Sequence, residues 1–300
     1  MGVLDSFVDE VERIRPRPPR ALYHFCKAES IKYLLRPDAD IWCTHCHHLN
    51  DPEECWTGVR LFLDYIKKNS LLSGNALNAL EQSARRNSLW NRVLDAEGHS
   101  PIVPFSFSFS EVRESDRMWN YAGRCGYRIE FDSGLVQETM SCVHSVLSQL
   151  DPGNRMTLSL WPCFYEESNR VEIERIFAAS VRDVADLLQA ITQNPDDEDA
   201  GRRLLVCIYL MSPIIKAEKW SCEKEWRLIM RRENFSRIIW RNHRARSYMS
   251  IATRGIGGLV KGVVPSPTGD VDWENRYLLF ERNDGFRFPD GAVEFLQGSQ

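Results

Sequence analysis

The chain has 300 residues, 43% hydrophobic and 27% charged, with 38 Lys+Arg against 42 Asp+Glu and a formal net charge of −4. Disordered chains are poorer in apolar residues, and proteins that coat nucleic acid over their whole surface carry a surplus of Lys and Arg, so both classes are excluded. Folding a chain of this length buries about 75% of the surface exposed when unfolded, so no disulfide or metal staple is needed.

From the N-terminus, Leu4, Phe7, Val8, Val11 and Ile14 recur at helical spacing until the proline-rich Arg15–Arg20 stretch, which predicts an amphipathic helix over 4–14. Ala21–Cys26 (ALYHFC) reads as a strand, Glu29–Leu35 as a helix ended by Pro37, Ile41–Cys43 as a short strand and Leu49–Pro52 as a turn. Helices are expected over 56–67 and 76–95, on either side of Ser73-Gly74-Asn75. Ile102–Ser110 (IVPFSFSFS) alternates Phe105, Phe107 and Phe109 with Ser106, Ser108 and Ser110, the clearest strand pattern in the chain.

Met118–Ala122 follows as a helical turn and Tyr127–Phe131 (YRIEF) as a strand. Helices over 135–150 and 170–192 flank a strand over Leu158–Tyr165. An acidic loop over 195–199 precedes a helix over 202–212, the strand Glu225–Met230 and short strands near 246–252, 258–264 and 276–281. No internal repeat or long linker divides the chain. The expected architecture is a single α+β domain over 1–300: a helix and proline-rich lead over 1–20, a core over 21–265, and a C-terminal strand and tail over 266–300.

Nine cysteines (26, 43, 46, 55, 125, 142, 163, 207, 222) form an odd, scattered set. No apolar signal core stands at the N-terminus and no run of 18 apolar residues exists, so the expectation is a cytoplasmic protein with reduced thiols and no membrane partner. Cys43-Thr44-His45-Cys46-His47-His48 with Cys55 is the densest set of metal-ligand types. It supplies one Cys-x2-Cys knuckle where a structural zinc site needs four converging ligands, commonly from two knuckles, so no metal is expected.

Phosphate loops, dinucleotide fingerprints, G-x-S-x-G elbows and H-E-x-x-H helices are all lacking. Three features remain. His24 interrupts an apolar strand and reads either as a hydrogen-bonded core histidine or as a ligand-binding group. Ser106 and Ser108 read as the exposed face of a strand whose phenylalanines fill the core, or as hydroxyls lining a cleft. In an extended Glu223–Arg227 segment, Glu223, Glu225 and Arg227 share one face. That row is either a solvated ion-paired surface or, beside Trp220 and Trp226, a protected cleft with perturbed carboxyls.

LYHF (22–25), LNDPEE (49–54), MWNYAG (118–123), YRIEF (127–131) and KWSCEKEWRLI (219–229) together resemble an uncharacterised bacterial domain family over about residues 20–265. The order of a His on an early strand, Ser-x-Ser on a middle strand and Glu-x-Glu opening a late strand also resembles the ADP-ribosyltransferase superfamily, which splits NAD at its nicotinamide–ribose bond. That resemblance implies an ADP-ribosyltransferase-like mixed β core with helical insertions and NAD as substrate, with no metal. It implies that His24 binds the NAD ribose, Ser106 and Ser108 steady the strand beside the nicotinamide, Tyr121 stacks on it, Glu225 is catalytic and Glu223 faces the acceptor.

His24 matches one branch of that superfamily and the two serine and glutamate pairs another, which leaves the acceptor, nucleic acid or protein, open. A bacterial toxin or phage-defence effector, with a neutralising antitoxin protein as partner, is the corresponding biological role. Arg227 is the candidate for an acidic substrate group, and Arg231, Arg232, Arg237, Arg241, Arg244 and Arg246 make 227–246 locally basic, as a solvated loop or as a nucleic-acid contact. Two other readings stand beside the transferase: a non-enzymatic sensor or interaction module, suggested by nine Trp, and an RNA-acting nuclease using His24 with the glutamates.

Overall fold

A computed structural model describes residues 4–34, 41–46, 49, 55–86, 104–150, 156–195, 197–232, 241–243, 246–251 and 259–267. Its strands are β1 (Ala21–Cys26), β2 (Ile41–His45), β3 (Phe105–Ser110), β4 (Tyr127–Asp132), β5 (Met156–Pro162), β6 (Phe164–Tyr165), β7 (Ile215–Lys216), β8 (Glu225–Arg232), β9 (Arg241–His243), β10 (Arg246–Ile251) and β11 (Val260–Pro265). The helices are α1 (Asp5–Ile14), α2 (Ala28–Leu34), α3 (Trp56–Lys68), α4 (Gly74–Arg86), α5 (Asp116–Ala122), α6 (Ser133–Leu150), α7 (Arg170–Asp183), α8 (Ala185–Gln193) and α9 (Glu198–Met211). The chain is thus α+β, with an antiparallel main sheet.

β3 organises that sheet. One edge pairs along its whole length with β8, from Phe105 opposite Met230 to Ser110 opposite Glu225, and β5 lies beyond β8. The other edge forks. β1 meets β3 only at Tyr23–Ser110 and leads outward to β4 and β11. β2 meets β3 at Thr44–Ser106 and His45–Phe105 and leads to β10 and β9. The phenylalanines of β3 stack edge-on into the main core, Phe107 on Phe109 at 5.0 Å and Phe109 on Phe131 at 5.3 Å.

Helices are held to this frame by side chains that complete each other's termini. The Ser6 and Phe7 amides, orphaned donors at the start of α1, donate to the Asp183 carboxylate at the end of α7, at 3.0 and 2.8 Å. Phe7 packs edge-on against Trp161, whose indole N–H donates to Glu12. The N-terminal helix therefore belongs to the main core. α5 packs instead on β1, where Phe25, Trp119 and Ala122 form a second, small core.

Several expected elements have different limits. The strand over 158–165 is two strands, because the Cys163 amide turns to donate to the Glu225 carbonyl at 2.8 Å. The helix over 170–192 is broken at the buried Val184, which closes α7 and opens α8. The acidic loop over 195–199 is in part the first turn of α9: the Asp197 carboxylate caps the Ala200 amide at 2.9 Å, and Glu198 and Asp199 lie at the positive end of the helix. The 50–54 part of the LNDPEE motif, the C-terminal half of the helix expected to reach residue 95, the strand near 276–281 and most of the 266–300 tail lie outside the described residues. No helix among the described residues is long and apolar enough to cross a membrane.

Candidate functional site

Strand alternation does not place Glu223 beside Glu225. Residues Glu218–Glu223 form a 3-10 turn, and Lys224 is left-handed (φ 41, ψ 56) before β8 begins at Glu225. Left-handed backbone costs a non-glycine residue roughly 1–2 kcal/mol. The flanking peptide groups are anchored to β3 and the residue after it: the Ser110 hydroxyl donates to the Glu223 carbonyl at 2.6 Å, and the Glu111 amide donates to the Lys224 carbonyl at 3.0 Å.

Both carboxylates then converge on Lys216, the last residue of β7. Its Nζ lies 3.0 Å from Glu223 Oε2 and donates a closer hydrogen bond to Glu225 Oε2. Lys216 is carried there by a 3-10 turn over Ser212–Ile214 that lies hard against α3: a Cβ on Gly58 would sit 2.8 Å from the Ser212 Cα. Arg227 also donates to Glu225, through Nε to Oε1 at 2.7 Å and through Nη2 to Oε2 at 3.1 Å. Its Nη1 donates to the Pro213 carbonyl, and the Glu225 amide donates to the Tyr165 hydroxyl at 2.8 Å. Lys216, Glu225 and Arg227 are 5%, 6% and 1% exposed.

The two carboxyls are driven apart electrostatically. Burial alone raises the pKa of Glu225, but the Arg227 guanidinium and Lys216 ammonium outweigh it and hold the group well below the usual carboxylate range. For Glu223 the burial penalty wins: its pKa is raised, with Lys216 opposing and the Glu225 charge adding to the rise.

Trp220 forms the wall beside this cluster. The Arg117 guanidinium lies 4.0 Å above its ring, with Lys216 Nζ at 5.3 Å and Lys219 Nζ at 5.5 Å. Arg117 comes from α5, donates through Nη1 to the Lys219 carbonyl at 2.9 Å and places Nε 3.6 Å from Glu223 Oε1. The Trp220 indole N–H is buried with no partner among the described residues.

Of the residues singled out in the sequence, Glu223, Glu225 and Arg227 are brought together. Arg227 is turned onto Glu225 and Pro213, so it positions the carboxylate. Ser108 and Ser106 lie opposite Arg227 and Ile229 on the shared face of β3 and β8. That face is more closed than an outward-facing strand: Ser106 is 1% exposed and its hydroxyl has no partner among the described residues.

His24 is on the other face. Tyr23 pairs with Ser110 and shares its side of the sheet, so the next residue points away, and its ring stacks on Phe107 at 4.3 Å. His24 Nδ1 lies 2.8 Å from the Ser108 carbonyl, bridging the fork where β1 parts from β3. A carbonyl only accepts, so Nδ1 carries the proton and Nε2 is an acceptor. Burial depresses the imidazole pKa to about 4, against a smaller opposing effect of the Ser108 bond. Tyr121 stands on α5 with 47% of its surface exposed.

Lys216, Tyr165 and Arg117 were not singled out in the sequence. Lys216 did leave a signal, since a lysine directly after the apolar pair Ile214-Ile215 is buried only when paired. All nine cysteines are free thiols. The Cys43 thiol is pushed up by burial and then by its neighbour Cys46. No group of three or more His, Cys, Asp or Glu side chains placed to hold a metal occurs among the described residues, which do not include His47 and His48. No family model matches the chain, and neither does any curated protein or solved structure.

Proposed function

We propose that this chain is an NAD-dependent ADP-ribosyltransferase of ADP-ribosyltransferase-like fold, a cytoplasmic toxin or phage-defence effector whose reaction centre is the Glu223–Lys216–Glu225 cluster. The observation that carries the reading is the opposed pair of carboxyls on one ammonium, Glu225 held ionised and Glu223 raised, because environments that split two like groups assign them different acid–base tasks. An ionised Glu225, exchanging one of its bonds to Lys216 or Arg227 for the substrate, stabilises the positive charge that develops on the ribosyl carbon as the bond to nicotinamide breaks, the electron pair leaving with the ring nitrogen. Glu223 takes the proton of the acceptor group that forms the new bond to that carbon.

Arg227 and Lys216 are positioning residues that fix Glu225. His24 points to the face of the sheet away from Glu225 and is not carried into the proposed NAD site as the ribose-binding residue. Ser106 and Ser108 support the strand beside Glu225. Tyr121, outward on α5, is not carried into the nicotinamide pocket. The test is incubation of the full chain with NAD labelled in the ADP-ribose part and a cell extract. Labelled macromolecule is expected from the wild type and is lost in Glu225→Gln. Labelled product that survives Glu225→Gln contradicts the assignment, and an absence of both transfer and free ADP-ribose rejects the activity.

One observation favours a non-enzymatic interaction module instead: both oxygens of Glu225 are already bonded to Lys216 and Arg227, as in a structural ion-pair network. That reading predicts no heat of binding on titration with NAD, together with recovery of one stoichiometric partner. The nuclease reading is weakened, because His24 and the glutamates face opposite sides of the sheet.

A further inference from the structure

We infer that the outer face of α5, together with the Lys219–Trp220 turn, binds a single-stranded nucleic acid, which is the acceptor of the proposed transfer. This inference rests on the transferase reading for the word acceptor, and on the surface alone for the binding.

The first observation is Tyr121. Among the described residues, the large hydrophobic side chains left exposed are Tyr121, Leu135 and Val171, so this ring is the aromatic one. It stands four residues after Arg117 on the same face of α5. Arg124 lies exposed in the turn after the helix, which Gly123 opens at φ +82 and the Gly126 amide closes on the Gly123 carbonyl at 2.9 Å. Along the chain, this solvent-facing ring is thus flanked by two exposed arginines.

The second observation is the arrangement around Trp220. Arg117 is held over that indole and by the Lys219 carbonyl, so its place is set before any ligand arrives, while Lys219 approaches the same ring. Cations fixed next to aromatic faces are what single strands require: phosphates meet the charges and unstacked bases lie on the rings. A protein partner of ordinary composition would call for a wider apolar patch with a charge-poor centre, whereas the exposed side chains on and next to α5 include the charged Asp116, Arg117, Arg124 and Lys219.

Continuity with the reaction centre makes the bound strand the acceptor. Arg117 Nε is 3.6 Å from Glu223 Oε1, so a phosphate held by Arg117 brings a neighbouring base or hydroxyl to the carboxyl that receives the acceptor proton. In that transfer the nucleophile's bond to hydrogen breaks with the proton passing to Glu223, its bond to the ribosyl carbon forms, and nicotinamide leaves with the electron pair.

The experiment is fluorescence anisotropy of the full chain with a labelled single-stranded oligonucleotide, in DNA, RNA and duplex arms, over a range of salt. Binding to at least one single strand is expected, weaker for the duplex and weakening as salt rises. Tyr121→Ala is expected to weaken it by about five- to a hundred-fold, as loss of one stacked base does, and Tyr121→Phe to preserve it. Arg124→Glu weakens binding further at low salt than at high salt. Both positions are exposed, so the variants fold. Absence of binding to any single strand overturns the inference, as does wild-type affinity in both Tyr121→Ala and Arg124→Glu. If the strand binds but no ADP-ribose moves, the surface stands and the transferase fails. If label moves onto protein and neither variant nor competing oligonucleotide changes it, the transferase stands and this inference fails.

Discussion

Glu223 and Glu225 reach the same Lys216 ammonium although the left-handed Lys224 between them breaks the strand that would have aligned them. The alignment is made by a turn, which leaves Glu225 sealed between two cations and Glu223 at the edge, next to Arg117. Two neighbouring carboxyls in one sequence motif acquire opposite electrostatic fates from that single change of backbone direction.

Lys216→Met removes the shared cation and leaves a buried carboxylate facing an apolar side chain. Breaking a buried ion pair from one side costs about 3–5 kcal/mol. Urea unfolding is expected to show a loss of that order. Lys216→Arg, which keeps the charge, retains most of it. Equal stability in Lys216→Met and the wild type would show the pair to be unimportant to the fold.

Gly58→Ala tests how the cluster is placed. The new methyl group meets backbone, the Ser212 Cα at 2.8 Å, so either α3 or the turn that carries Lys216 must move. Overpacking of this kind costs about 1–3 kcal/mol, and the expected result is a lowered unfolding midpoint. An unchanged midpoint would mean that the two elements part freely.

His24 gives a pH dependence of defined sign. Its pKa is 6.5 in the unfolded chain and about 4 in the fold. Between these values the unfolded state binds more protons, so stability contributed by neutral His24 is full above pH 6.5 and is lost as pH falls towards 4. The lowered carboxyl of Glu225 also loses stability on the acid side, below about 4.5, so the comparison must be with a variant. His24→Gln is expected to show a shallower fall in unfolding free energy between pH 6.5 and 4.5 than the wild type; parallel curves would contradict an imidazole held neutral by the fold.

The strands were the legible part of the sequence because side-chain alternation is local: IVPFSFSFS and YRIEF announce β3 and β4 by pattern alone. Helix ends were harder. Nothing in residues 170–192 shows that Asp183 turns away to cap α1, a partnership across 176 residues. The candidate site was half legible. Glu223, Glu225 and Arg227 stand in one short motif, but alternation predicted the wrong route to their meeting, since the conformation of Lys224 is set by bonds to Ser110 and Glu111. Lys216 and Arg117 come from other elements, and only the fold brings them in. His24 and Glu225 lie on adjoining parts of one sheet, yet residue order alone could not show that register puts them on opposite faces.

In the proposed function, Glu225 and Glu223 divide the work of one glycosyl transfer. Nicotinamide release from NAD by the purified full chain, with and without added acceptor, measures that division. Glu225→Gln is expected to abolish release under both conditions, while Glu223→Gln loses the acceptor-dependent part and keeps slow release to water. Nicotinamide release by Glu225→Gln at the wild-type rate would contradict that division.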